Sequence, residues 1–354
     1  MKRFRKRDLA AVALVVLLCG LVFASPALDR FAGLSLDILT ALRWRVFGLR
    51  HDPARAPAVV VAIDEETFRT APFAGSPSLT WTREIGRVLT AVVDGGAAAV
   101  GFDIVFPSSI EQSEIPFGEE PLGARLRGFD RDFLRALAAA AQSDKVVLGE
   151  VLHQDRPVRP AAAQRIAVGQ QRNIRALNTH ADPDDVVRRL PLWFTVGGRP
   201  VPSMALELAA RALGTAPVRE PDGGTTLAGY RIPGAVANTQ TLAFEGGADE
   251  VPTFSFADLR ACADKGDAAF FRRAFAGKVV LFGTLLDIED RKITSKRFAT
   301  GVEGARAERC ALPPPPAAAD APLRRSISGV YIHATGVNDL LRRDALAEPG
   351  RLGT

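Results

Sequence analysis

Two carboxylates stand where apolar runs end. Asp64 follows residues 56–63 (APAVVVAI), and Asp103 lies within residues 97–105 (AAAVGFDIV). One amphipathic segment separates the two runs. If the runs are neighbouring strands of a parallel sheet, both carboxylates reach the same edge, where strand C-termini and the loops after them form a crevice. Thr284 and Asp287 follow a third apolar run, GKVVLFG at 277–283, and join the pair if that strand lies alongside. His333, opening the last helical segment, is the nearest fourth group. Such an oxygen-rich cluster suits a divalent cation or a cationic solute, because hard cations prefer oxygen ligands. Capping is the competing use of Asp64 and Asp103, since aspartates after strands commonly accept bonds from the backbone N–H groups that follow. The residues alone leave both uses open, and leave the identity of any metal unknown.

Catalytic chemistry has no comparable footing. There is no G-x-S-x-G elbow, no GxGxxG and no HExxH, and Gly277-Lys278 lacks the upstream glycine and the Ser/Thr of a P-loop. His51, His153, His180 and His333 show no ligand spacing, and Cys19, Cys262 and Cys310 contain no CxxC, which argues against a structural zinc site. The expectation is therefore no enzyme and no cofactor. Cys262 and Cys310 can pair if the body is exported; two buried thiols are the alternative.

Charge separates a tail from a body. The 354 residues carry 45 Lys+Arg against 40 Asp+Glu, and Lys2, Arg3, Arg5, Lys6 and Arg7 supply the whole excess. A balanced body offers no net attraction to nucleic acid. After the tail, residues 9–24 (LAAVALVVLLCGLVFA) are uncharged. As a helix this run covers about 24 Å, short of a ~30 Å hydrocarbon core. Extension to residue 28 and snorkelling of Lys6 and Arg7 make up the difference. Five basic residues keep the N-terminus cytoplasmic and put the body outside. A cleavable signal peptide competes, because Val22-Phe23-Ala24 resembles a cleavage box.

These groups need elements to hold them. The runs at 56–63, 97–105 and 145–151 are apolar on both faces, as in a parallel sheet. Helical patterns lie between them, at 82–94 with Thr82 as cap and at 130–141. Residues 106–129 read as a long loop, and residues 154–185 as a polar stretch. Further helices are expected at 203–213, 256–275 and 329–341, hairpin strands at 230–244, and a strand at 277–283. The fold class is α/β: a largely parallel central sheet with flanking helices, preceded by one N-terminal membrane helix. The expected divisions are a basic tail at 1–8, a transmembrane signal-anchor at 9–28, a membrane-proximal segment at 29–55, a body at 56–342 with a Pro-rich insert at 311–322, and a juxtamembrane segment at 343–354. In the membrane-proximal segment, Leu34, Leu36, Ile38, Leu39, Leu42, Trp44, Val46 and Phe47 surround Asp37, Arg43 and Arg45. That stripe predicts a helix continuing from the anchor and packing on the body; a homodimer contact is its other use.

The ordered motifs resemble the second type of CHASE domain, the sensory extracellular domain associated with cyclases and histidine kinases. They are VVVAID with Asp64, Trp81-Thr82-Arg83, GFDIVF, the segment 182–191 ending VVRRLP, Pro202-Ser203 before a helix, GKVVLFGT with Asp287, and GVYIHATGVNDLL. The resemblance covers about residues 36–342. Ile293-Thr294-Ser295 and a long insert stand where the family usually has a short Thr-Pro loop. The family usually continues into membrane helices and an output module, whereas this sequence has no second apolar run before Thr354, which predicts a truncated receptor or a stand-alone sensor. The resemblance implies an uncleaved anchor, an inner-membrane location with a periplasmic body, and perception of an unknown small molecule or ion. A periplasmic α/β enzyme and an envelope partner-binding module are the alternatives from other classes.

Overall fold

The computed structural model describes residues 26–153, 156–234, 236–246, 250–286, 288, 291–299, 309–312 and 326–347. The basic tail, residues 9–25 of the expected anchor, Asp287 and most of the Pro-rich insert lie outside the described residues. Among those described, no helix is long and apolar enough to cross a membrane.

The described residues open with helix α1 (Pro26–Phe47). Strand β1 (Ala58–Ile63) follows, buried at all six positions. Then come α2 (Glu65–Arg69), α3 (Thr82–Asp94), β2 (Ala99–Asp103), α4 (Arg131–Gln142) and β3 (Val146–Glu150). Next are α5 (Ala162–Ala167), β4 (Ile174–Ala176), β5 (Val186–Val187) and α6 (Met204–Leu213). The last part carries β6 (Thr253–Ser255), α7 (Phe256–Asp264), α8 (Ala268–Phe275), β7 (Val279–Thr284), β8 (Arg291–Thr294), β9 (Ser326–Ser328) and α9 (Gly329–Arg342).

Six strands form one parallel sheet in the order β6-β1-β7-β2-β3-β4. Its central strands bury both faces, which is why their sequences run apolar without alternation. Val59, Val61, Phe102 and Phe282 face a core shared with α3, α4, α7 and α8. Ala58, Val60, Ala62 and Leu281 face a second core under α6 and α9. The second layer sits close because the sheet offers glycine to it. A Cβ on Gly101 would lie 2.6 Å from Leu208 Cδ1, and one on Gly283 would lie 2.5 Å from Val330 Cβ. Cys262 of α7 is bonded to Cys310, with Cα atoms 5.6 Å apart.

Several expectations change. β1 and β2 are not neighbours: β7, arriving some 180 residues later in the chain, lies between them, with Thr284 beside Ile63 and Gly283 beside Asp103. At ~4.8 Å per strand, Asp64 and Asp103 are separated by roughly 10 Å of sheet. Residues 256–275 form two helices rather than one, because Gly266 takes a left-handed conformation (φ +67°) and Asp267 caps the second helix through Phe270 N–H. Thr82 is the first residue of α3 and not its cap; its hydroxyl donates to Asp130 Oδ1 at 2.6 Å. Residues 106–129 contain a small hairpin and the one-turn helix Leu122–Arg125. The edge strands β4 and β6, three residues each, lie in segments that show no apolar run. α1 does pack on the body, but through its polar side: Asp37 is fully buried, while Leu39, Leu42 and Val46 are exposed.

Candidate functional site

A cleft of about 760 Å³ lies along the C-terminal edge of the sheet. Its floor is set by strand ends: Ile63 of β1, Thr284 of β7, Asp103 of β2, Val151 after β3 and Leu177 after β4. In a parallel sheet every strand terminates on this side, so loops and helix starts converge there. One wall is apolar and aromatic, from Phe68 of α2 and Trp81 and Ile85 at the start of α3, continued by Ile104 and Phe106. The opposite wall comes from Lys292 of β8 and from Gly329, Val330 and His333 of α9. The volume falls within the range that holds small organic ligands.

The wall residues are held in place. Trp81 Nε1 donates to Ser76 Oγ at 2.9 Å, and its ring packs edge-on against Phe68 and Phe73, at 4.8 and 5.1 Å between centroids. The loop after β2 is tied down by buried Asp130, which accepts from Thr82 and from Ser109 and donates its own N–H to Glu111 Oε1. Asn178 anchors the rim by bonding both the N–H and the carbonyl of Leu152, at 2.8 and 2.9 Å.

The five residues singled out in the sequence divide. Asp103, Thr284 and His333 line the cleft. Asp103 Oδ1 stands 3.8 Å from His333 Nε2, and that nitrogen lies 3.1 Å from the Leu177 carbonyl. A carbonyl only accepts, so Nε2 carries a hydrogen and donates to it. Asp64 does the capping work instead. Its Oδ1 accepts from Thr67 N–H at 2.9 Å, Thr67 Oγ1 at 2.8 Å and Ser255 Oγ at 3.0 Å, which starts α2 and ties β1 to the end of β6. Asp287 is outside the described residues. Among those described, no group of three or more His, Cys, Asp or Glu is arranged to hold a metal ion. Lys292 and Asn178 were missed, since each enters the cleft from a segment remote in sequence; Phe68 was missed because the residues after Asp64 read as a turn rather than as the short helix that aims its ring into the cleft. Trp81 stood out only as part of a motif.

A charged latch lies beyond the cleft. Arg188, fully buried, donates to both oxygens of Asp37 on α1 at 2.8 and 2.7 Å, to both oxygens of Asp184 at 2.8 Å, and to Asp182 at 2.8 Å. Burial disfavours its charge, but three carboxylates more than compensate and raise its pKa. The Arg188 hydrogen bonds hold Asp184 below the usual carboxylate range. Gly33 makes the approach possible, because a Cβ there would sit 2.5 Å from Arg188 Nη1. Arg297 also reaches Asp37, at 2.7 Å. Cleft and latch share a strand: β8 carries Lys292, pairs with β5 just before Arg188, and leads on to Arg297.

The chain enters and leaves the body at one clasp. Glu245 accepts from the Arg50 and His51 N–H groups at 2.8 and 3.0 Å, pairs with the His51 ring, and lies 3.2 Å from Arg342. Arg50 pairs with Asp344, just past the end of α9. Burial alone would raise the Glu245 pKa; the His51 and backbone hydrogen bonds outweigh it and lower the value.

Neither a curated protein nor a solved structure matches the chain significantly. The family pattern of the CHASE2 domain does, over residues 11–353, nearly the whole length. With that match added to the ordered motifs and the six-stranded parallel body, the chain belongs to the CHASE2 family of extracellular sensory domains found in signalling receptors.

Proposed function

We propose that this chain perceives a small organic solute in the sheet-edge cleft and passes the event to α1, which leads to the membrane. The observation that carries this reading is the shared strand. β8 contributes Lys292 to the cleft wall and, through its pairing with β5 and its continuation to Arg297, ends at the Asp37 latch on α1. A ligand that moves β8 therefore acts on the charge pairs that seat the helix. The cleft's composition favours a ligand with an apolar or aromatic part against Phe68 and Trp81 and a polar end near Asp103, Thr284 and His333. A bare divalent cation fits less well, since Asp64 is committed to its cap and lies two strands from Asp103. Residues 9–28 act as an uncleaved anchor, supported by the five basic residues before them. They place the body on the periplasmic side, with coupling to a cyclase or kinase output.

The test is thermal melting of the full chain in detergent against aromatic and zwitterionic amino acids, polyamines, Ca²⁺ and Mg²⁺. The reading expects an organic solute to raise the melting temperature, and Trp81→Ala or Asp103→Asn to abolish the rise. Asp64→Asn should lower the melting temperature with or without solute. A solute-induced rise that survives both cleft changes, or no rise from any organic solute, would overturn it.

A further inference from the structure

The outer face of α1 is apolar, where a surface helix is normally polar. Ile38, Leu39, Leu42, Val46 and Phe47 are 44, 61, 52, 67 and 78% exposed. The inversion has a cause in the body. Asp37 turns inward to Arg188, Thr40 is buried, and Arg43 Nη2 donates to the Glu245 carbonyl at 2.6 Å. With Asp37, Thr40 and Arg43 committed inward, the helix presents Ile38, Leu39, Leu42 and Val46 outward, beside Ser35 and Arg45. Among the outward residues, Leu39, Leu42 and Val46 follow one another in steps of three and four, the spacing of a seam between two parallel helices, with Ile38 beside them and Ser35 and Arg45 at its margins.

We propose that a second copy of this chain covers the seam, with the two α1 helices packed side by side and parallel about a two-fold axis. A two-fold axis along the seam sets the same apolar row against itself, so one self-complementary patch suffices. The chain before α1 favours this occupant. Residues 9–24 are an uncharged apolar run that ends one residue short of Pro26 in the sequence, so copies held by that run in one membrane meet with α1 parallel and at raised local concentration. The remaining undescribed segments cover it poorly. Residues 348–354 carry Leu352 as their one large apolar side chain, residues 300–308 carry only Val302, and residues 313–325 carry only Leu323 beside five prolines. The proposal uses none of the cleft residues, so it stands or falls separately from the ligand reading.

Single cysteines at Leu39, Leu42 and Val46, and off the seam at Ala41, test it in the full chain in native membranes with Cys19→Ser. Oxidation should yield interchain dimers at the three seam positions, at least fivefold more than at Ala41. In detergent, the parent should have twice the mass of Leu42→Glu, with melting temperatures within about 2 °C, because the change lies on a surface. Equal crosslinking at Ala41 and Leu42, or a monomeric parent, would overturn the proposal. With Cys19 retained, an intrachain Leu42→Cys disulfide to Cys19 would overturn it in favour of the chain's own apolar run. Labelling of seam positions by a photoactivatable lipid without any dimer would overturn it in favour of the bilayer.

Discussion

Asp339 sits where its charge is hard to keep. It is 3% exposed in α9, and burial pushes its carboxyl well above the usual carboxylate range. The Ala243 N–H, which Oδ2 accepts at 2.9 Å, offsets this only in part. In the unfolded chain the same group titrates near ~3.9. Above that pH the native state holds a proton that the unfolded state has released, so this residue's contribution falls as pH rises through the elevated folded value. Asparagine keeps the acceptor for Ala243 and has no proton to lose. Asp339→Asn should therefore gain stability relative to the parent as pH rises from the ordinary carboxylate range to neutrality, read as the difference in urea midpoints. A difference that stays constant over that interval would refute the account. The comparison has to be made against the parent, because Glu245 works in the opposite sense. Its lowered pKa contributes stability above the ordinary glutamate range, which is lost as pH falls. Neither behaviour was legible in the sequence. Asp339 reads there as one polar residue in an amphipathic helix, and the partners of Glu245 come from residues 50–51 and 342, far away in the chain.

At the scale of elements, the sequence was readable where a segment declares both its faces. β1, β2, β3 and β7 run apolar up to their C-terminal residues because both faces are covered, and α3 and α4 show one apolar face because only one is. Adjacency was not readable. The insertion of β7 between β1 and β2 rests on pairings across more than 170 residues, and it decides that the Gly283–Thr284 end of β7, not Asp64, adjoins Asp103. α1 was misjudged for the same reason: Asp37 looked like an interruption of an apolar stripe, while its partner Arg188 lies 151 residues away. One sequence detail, the glycine ending the GKVVLFG run, has a clear structural use. Gly283 faces α9, where an added Cβ would stand 2.5 Å from Val330 Cβ. Gly283→Ala should cost about 1–3 kcal/mol by overpacking, and Val330→Ala should recover a large part of that loss by making room. Denaturant melts of the two single variants and the double variant check this. Strictly additive losses would show that the close approach of α9 is not what the glycine serves.

For the whole molecule, the disulfide links fold to compartment. Cys262 belongs to α7 in the core on one face of the sheet, and Cys310 packs against that core. Their Cα separation of 5.6 Å falls where disulfides are commonly found. The bond spans 48 positions, and the loop it closes contains β7 and β8, the central strand of the cleft floor and the strand shared with the latch. By chain entropy, closing a loop of that length is worth about 4 kcal/mol, toward the upper end of what disulfides usually contribute. That stabilisation is available only where thiols are oxidised, which suits a family of extracellular domains and not a reducing cytosol. The exported full chain should therefore yield a Cys262–Cys310 crosslinked peptide under non-reducing mass spectrometry. Adding reductant should lower its melting temperature, and Cys262→Ser with Cys310→Ser should reproduce that loss and then show no further response to reductant. Finding both thiols free in protein recovered from outside the cytoplasm would remove the bond, and with it the stabilising closure of the loop through β7 and β8.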